Sequence, residues 1–295
     1  MEECKGENME RIENINDKLI ESLEHLPPLP QTVQKLQSYM ATHGSDIDIN
    51  EIVRIISDDP LITANLLHLA NSPFYGFSSE IKTVNQALVL LGINNVKNMI
   101  IADYVKNSFK IDVSPYGLNT NDFLNLCHEQ TEFIASWILE EDKKLCYTLI
   151  PIVMLLRLGI MVFSSFLIQN NLDKKFLLHL SKNNYYNILA LEKEFFGVEH
   201  VAFLATLFKR WNFDEIFIEC ISSMDYVRSA SANIKKETYA LCIVETLFSP
   251  EVKKDYEFCV KKAYQIIKEA KINGVDFNLE NFIAKLPHKF KKYLK

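Results

Sequence analysis

Apolar residues recur along the chain at three- and four-residue steps, the period of helices that bury one face. Ile49, Ile52, Val53 and Ile56 give it cleanly and predict a helix over about 46–57, with Asp48 as N-cap. Val33, Leu36, Tyr39 and Met40 predict another over about 31–42, closed by Gly44, after an extended Leu-Pro-Pro-Leu-Pro segment at 26–30. Asp58-Asp59-Pro60 stops one helix and starts the next, since Asp caps and Pro suits a first turn. Residues 61–70 are apolar nearly all round, which implies a buried helix, and Asn-Ser-Pro-Phe-Tyr-Gly-Phe at 71–77 breaks it. A Thr-x-x-Gln capping box opens the segment 83–91. Gly92 ends it, and Asn94 is placed to cap a further helix to about 109.

The same patterning predicts helices at about 15–24, 122–140, 150–168, 173–180, 188–196, 198–210, 214–224, 239–248, 251–272 and 278–295. No series of runs alternates with the period of two that strands need, and no internal repeat is visible. The expected fold class is all-α, with one helical domain over 15–228. Residues 1–14 read as a mobile acidic arm and 229–295 as a helical extension packed on the domain.

The stretch 147–168 is long enough to cross a bilayer and carries a single charge, Arg157. Its Leu, Ile, Val and Phe each favour insertion by about 0.3–0.6 kcal/mol, while a central Arg opposes it by about 2.5–3.5 kcal/mol. Pro151, Gly159 and the Ser164-Ser165 pair point instead to two shorter helical pieces buried in the core. Burial then demands that Arg157 reach a carboxylate, a helix C-terminus or solvent, because an unpaired interior cation is too costly.

Composition narrows the chemistry by exclusion. The eight glycines are scattered singly, so neither a phosphate-cradling loop nor a dinucleotide fingerprint can be built. The net charge is −6, and only five of the 32 basic residues are Arg, which argues against nucleic acid as a partner. A helix–turn–helix-like pair at 83–91 and 95–109 would offer phosphates only Lys97 and Lys106 from its second helix. None of the six cysteines shows Cys-x-x-Cys spacing, the pattern of free thiols in a reducing cytoplasm. His128 and Glu132, in His-Glu-Gln-Thr-Glu, share a helical face but fall short of a zinc-protease ligand set. The two ends differ in charge. Residues 1–24 hold eight acids against three bases, whereas 285–295 holds five lysines and no acid.

Three motifs occur in order. They are Leu-Pro-Pro-Leu-Pro at 26–30, the run from Ser57 to Phe77, and the run from Ile81 to Ile100. Together they resemble the HDOD family, the HD-related output domain of bacterial signalling proteins, and the likeness can be followed to about residue 226. The resemblance implies an HD-domain-like multi-helix bundle. Its motif residues Asp59, Pro60, Asn71, Ser72, Tyr75, Gly76, Leu91 and Gly92 also read as caps, turns and helix stops, so most are architectural.

HD-type phosphohydrolases, similar in fold, hold divalent metals with His and Asp from several helices. The resemblance aligns Arg157-Leu158 with the His-Asp pair of such a site, and Met224-Asp225 with a downstream His-His pair. Neither a guanidinium nor a Leu side chain has a lone pair to give a metal. The expected site is therefore degenerate, without metal, cofactor or catalytic residue, and His128 and His200 are the candidates for a residual polar site. What the resemblance implies is a cytoplasmic, non-enzymatic module with no membrane span. It would act on signalling proteins in motility, chemotaxis or cyclic-dinucleotide pathways, and a small nucleotide ligand stays open. The rival is a metal-dependent phosphohydrolase with ligands rearranged around His128, His200 and nearby carboxylates.

Overall fold

Short polar side chains start helix after helix in this protein, and buried apolar faces then lock the helices together. The computed structural model describes residues 18–21, 28–44, 46–182, 187–250 and 255–293. The arm over 1–14 and most of the expected helix over 15–24 lie outside these residues. All regular structure among the described residues is helical. The first group comprises α1 (Gln31–His43), α2 (Ile49–Ser57), α3 (Pro60–Ala70), α4 (Val84–Leu91) and α5 (Ile93–Asn107). The central group is α6 (Thr120–Ile138), α7 (Lys143–Leu155), α8 (Leu158–Gln169), α9 (Asp173–Lys182), α10 (Ile188–Phe196), α11 (His200–Arg210) and α12 (Glu215–Ser222). The last is α13 (Lys235–Leu247), α14 (Tyr256–Ile272), α15 (Leu279–Lys285) and α16 (His288–Lys291).

Local chemistry sets most of these ends. Asp48 accepts from the Asn50 amide, Asp59 from those of Leu61 and Ile62, and Thr83 and Gln86 form a reciprocal capping box. Asn94, however, caps nothing. Gly92, at φ +85°, ends α4 and starts α5 by itself, and the two helices meet at 114°. A turn made by one residue leaves no place for a separate cap, so Asn94 falls inside the first turn of α5.

The exit from α3 is closed by Asn71. Its Nδ2 donates to the carbonyls of Leu67 and Ile81, both at 2.8 Å, and its Oδ1 accepts from the Ile81 amide at 2.7 Å. One side chain thus ties both ends of the 71–81 loop. Tyr75 is buried beneath that loop, and Gly76 adopts the left-handed conformation where a Cβ would run into Leu139.

The apolar stretch 147–168 lies inside the protein as two helices, α7 and α8, broken at Leu156-Arg157. Of the window that is long and apolar enough to cross a membrane, 89% is buried in the fold. Pro151 sits within α7, where it removes one helical donor, and Gly159 within α8. α6 packs on α7, and α5 packs on α7 from another side.

The helix–turn–helix-like reading does not survive. α5 buries Val96, Lys97, Asn98, Met99, Ile100, Ile101, Ala102 and Val105, so it has no free face for a DNA groove. Lys97 is taken up by an ion pair with Asp214, to which Asn98 also donates at 2.7 Å.

The C-terminal helices join the same core. α13 packs against α6, α7, α12 and α14, and α15 against α6. Trp137 meets the rings of Phe277 and Phe282 at 5.1 and 5.2 Å. The single helix expected over 278–295 is split at Pro287 into α15 and α16. Two of the tail lysines are held within the chain: Lys285 pairs with Glu140 at 2.5 Å, and Lys289 pairs with Glu129.

Replacing Asn71 by Ala removes three hydrogen bonds at once and should cost roughly 1–2 kcal/mol of stability. Urea unfolding would show a lower midpoint at unchanged slope. Asn71→Asp, which keeps the acceptor and loses the donor, should fall between the two.

Candidate functional site

The break between α7 and α8 places Arg157 inside the protein with only 1% of its surface exposed. Its guanidinium is surrounded by polar groups from other helices. Nη1 donates to both carboxylate oxygens of Glu245 on α13 at 2.5 Å, and Nη2 to the Glu245 carbonyl at 3.3 Å. Nε donates to Oε1 of Gln130 on α6 at 3.2 Å. The Gln130 amide in turn donates to the Val153 carbonyl at 2.7 Å, serving the frayed end of α7. Arg157 thus meets the requirement that burial set, and the counter-charge comes from the C-terminal helices.

A second half of the cluster centres on Glu192 of α10, which is fully buried. It accepts from the Tyr116 hydroxyl at 2.6 Å and from the His200 backbone amide at 2.8 Å, so it caps the start of α11. It also faces His200 Nδ1 at 2.8 Å. A carboxylate can only accept here, which assigns the hydrogen to Nδ1. The other ring nitrogen, Nε2, has no hydrogen-bond partner and lies 3.8 Å from Glu245 Oε1. His200 therefore joins the two halves.

The imidazole lies between the side chains of Glu192 and Glu245, with the Arg157 guanidinium beyond. Burial alone pushes the His200 pKa down and Arg157 opposes the charge. The Glu192 carboxylate, by charge and hydrogen bond, together with Glu245, outweighs both and raises it above the usual value. Around the cluster the remaining groups stay neutral: burial pushes the Cys127 thiol up to about 11 and the Cys242 thiol to about 12, and holds Tyr116 well above the ordinary phenol range.

Packing closes what is left of the space. A Cβ on Gly159 would overlap the backbone carbonyl of His200, so α8 and α11 touch main chain to main chain. Leu158, the other half of the Arg157-Leu158 pair, is buried among apolar residues. A divalent metal of the kind HD-type folds hold does not fit these groups. Both oxygens of Glu192 and of Glu245 accept hydrogen bonds within the cluster, His200 Nδ1 is turned to Glu192, and Glu245 is paired with the fixed cation of Arg157. Among the described residues no three His, Cys, Asp or Glu side chains form a group able to hold a metal.

The other expected site residues are elsewhere. His128 is on the surface of α6 with its ring 5.7 Å from Phe74, and Glu132 is exposed as well. His128 and His200 are therefore not parts of one polar site. Met224 lends its backbone carbonyl to the Cys242 thiol at 3.5 Å, and Asp225 is exposed beside it. Asp59 accepts from Thr32 at 2.9 Å in addition to capping α3, and the Ser72 hydroxyl is buried without a partner. Glu192, Glu245, Gln130 and Tyr116 were not singled out by the sequence reading. Glu245 carried a signal, an acid within the apolar run 239–248, whereas Glu192 looks no different from its surface neighbour Glu194.

This all-helical body, with its interior site, has the HD-related fold. The HDOD domain model matches residues 26–226, and the chain belongs to that family. Among solved structures, a virulence factor from Campylobacter jejuni subsp. jejuni is 49% identical, with 95% of this chain and 99% of that one covered and a TM-score of 0.62. An HDOD domain protein of unknown function from Geobacter sulfurreducens is 19% identical, with 94% of each chain covered and a TM-score of 0.61, a likeness of fold. A curated relative, an uncharacterized protein of Treponema pallidum (strain Nichols), is 24% identical over 82 residues. That match spans 28% of this chain and only 16% of the relative.

Two outcomes follow from the cluster. Removing Glu245 as Glu245→Ala strands a buried guanidinium and should cost roughly 3–5 kcal/mol in urea unfolding. The double change Arg157→Met/Glu245→Met should recover much of that loss. The sign of the pH effect follows from the raised His200 pKa: its contribution is complete below the unfolded value near 6.5 and is lost as pH rises through the folded value. NMR titration of the His200 ring should give a midpoint above 6.5, and the stability difference between wild type and His200→Gln should shrink as pH rises through that midpoint.

Proposed function

We propose that this protein is a non-enzymatic, cytoplasmic signalling module of bacteria that works through contacts with other proteins. The observation that carries the reading is the Arg157–Glu245 pair. At the position where the family resemblance aligns a metal-binding His-Asp, the chain carries a permanent cation that already has its carboxylate. A metal-dependent phosphohydrolase needs the metal to polarise a phosphoryl oxygen and to lower the pKa of bound water. That needs ligands free to turn to a metal, and Glu245 is bound to a permanent cation while Glu192 is held by Tyr116 and His200.

Membership of the HDOD family supports a regulatory output role, with motility, chemotaxis and cyclic-dinucleotide signalling as candidate pathways. The likeness to the Campylobacter virulence factor supports placing that output in virulence. The rearranged-ligand phosphohydrolase draws no support from His128 and His200, which face different surroundings.

The test is elemental analysis of the purified protein, followed by nucleotide and phosphodiester substrates with added Mn²⁺, Mg²⁺ or Fe²⁺. The expected result is no stoichiometric metal and no turnover above buffer. Stoichiometric metal together with turnover that disappears in Glu245→Gln would overturn the proposal.

A further inference from the structure

The turn between α4 and α5 and the start of α7 enclose an open groove of about 630 Å³ on the surface. Its apolar lining comes from Ile47, Leu90, Leu91, Ile93 and Tyr147, and Lys143 and Lys144 stand on its edge. No carboxylate lines it. Leu90 is 49% exposed, and its neighbour Val89 is 67% exposed, so the helix offers apolar surface to solvent beside the groove.

Three features give this groove a positive character on a chain whose net charge is −6. Lys143 and Lys144 are both exposed, and neither has an ion-pair partner among the described residues. Glu237 feels the charge of Lys144 without bonding to it, and Asp142 is occupied in capping α7 at the Leu145 amide. In addition, α5 starts without a side-chain cap, and its first turn, Ile93 to Asn95, lines the groove with unpaired backbone donors. A Cβ on Gly92 would meet nothing within 4 Å, so the space over the turn is open.

We infer that this groove docks an acidic segment of a partner protein, one that sets a Leu, Ile or Phe against Leu90 and Ile93 and places carboxylates at Lys143 and Lys144. Apolar burial supplies the affinity, and the lysines select for acid and fix the orientation. A basic segment would meet repulsion from both lysines, and a neutral apolar one would gain nothing from them. The inference rests on the reading of the protein as a contact-making module, yet the two fail separately. Phosphoester turnover would sink that reading and leave peptide binding untouched.

The probe is a random-peptide phage library panned against the full-length protein, with K143E/K144E panned in parallel. Enriched peptides are then measured by fluorescence anisotropy. Peptides that bind wild type should be acidic and carry a large apolar residue. Their affinity should fall by roughly tenfold or more in K143E/K144E and in Leu90→Asp, and hold within about threefold in K143R/K144R. All three positions of change are solvent-facing or half exposed, and matched melting midpoints would show that each variant is folded. Failure to enrich any peptide, enrichment without an acidic bias, or equal binding to K143E/K144E would overturn the inference. So would lysine-dependent binding of a mixed-sequence DNA duplex or of phosphatidylglycerol vesicles in the absence of acidic-peptide binding.

Discussion

A guanidinium with 1% of its surface exposed cannot be left without counter-charge, and the arrangement of the central helices follows from how Arg157 obtains it. Gln130 of α6 and Glu245 of α13 reach it directly. Glu245 then faces His200 of α11, and His200 binds Glu192 of α10, which takes the Tyr116 hydroxyl. A single chain of charges and hydrogen bonds runs through the interior. Each member satisfies another that would otherwise be stranded, apart from His200 Nε2, which has Glu245 nearby but unbonded.

This arrangement explains why the C-terminal helices belong with the domain rather than beside it. The HDOD match ends at residue 226, whereas the carboxylate that neutralises Arg157 is at 245. Removing α13 would leave the cation facing an empty wall. The lysine-rich tail follows the same logic on a smaller scale, since Lys285 fastens α15 to Glu140 just past the end of α6, and Lys289 fastens α16 to Glu129 of α6. These outer pairs are partly solvated and contribute less than the buried one.

The chemistry of the interior and that of the surface are thereby separated. Inside, polar and charged side chains hold helices together, and Gly159 lets α8 and α11 meet main chain to main chain. Outside, Lys143 and Lys144 at the start of α7 face an α5 start that no side chain caps.

Much of this was legible in the sequence, because helix ends are local. Asp48, Asp59 and Thr83 cap as their neighbours dictate, and Asn71 reaches carbonyls four and ten residues away. The burial of 147–168 was also legible, since an apolar run interrupted by Pro151 and Gly159 folds better into a core than across a bilayer. The need of Arg157 for a partner followed from electrostatics alone. Which partner it took did not. Glu245 lies 88 residues away in the chain, and one acid among many on helical segments has no local mark that says which cation it will face. The separation of His128 from His200 was likewise decided only by helix packing, which turns α6 so that His128 meets solvent while α11 carries His200 inward. Short-range hydrogen bonds obey sequence spacing, whereas charge pairing in the core depends on which helix faces come together.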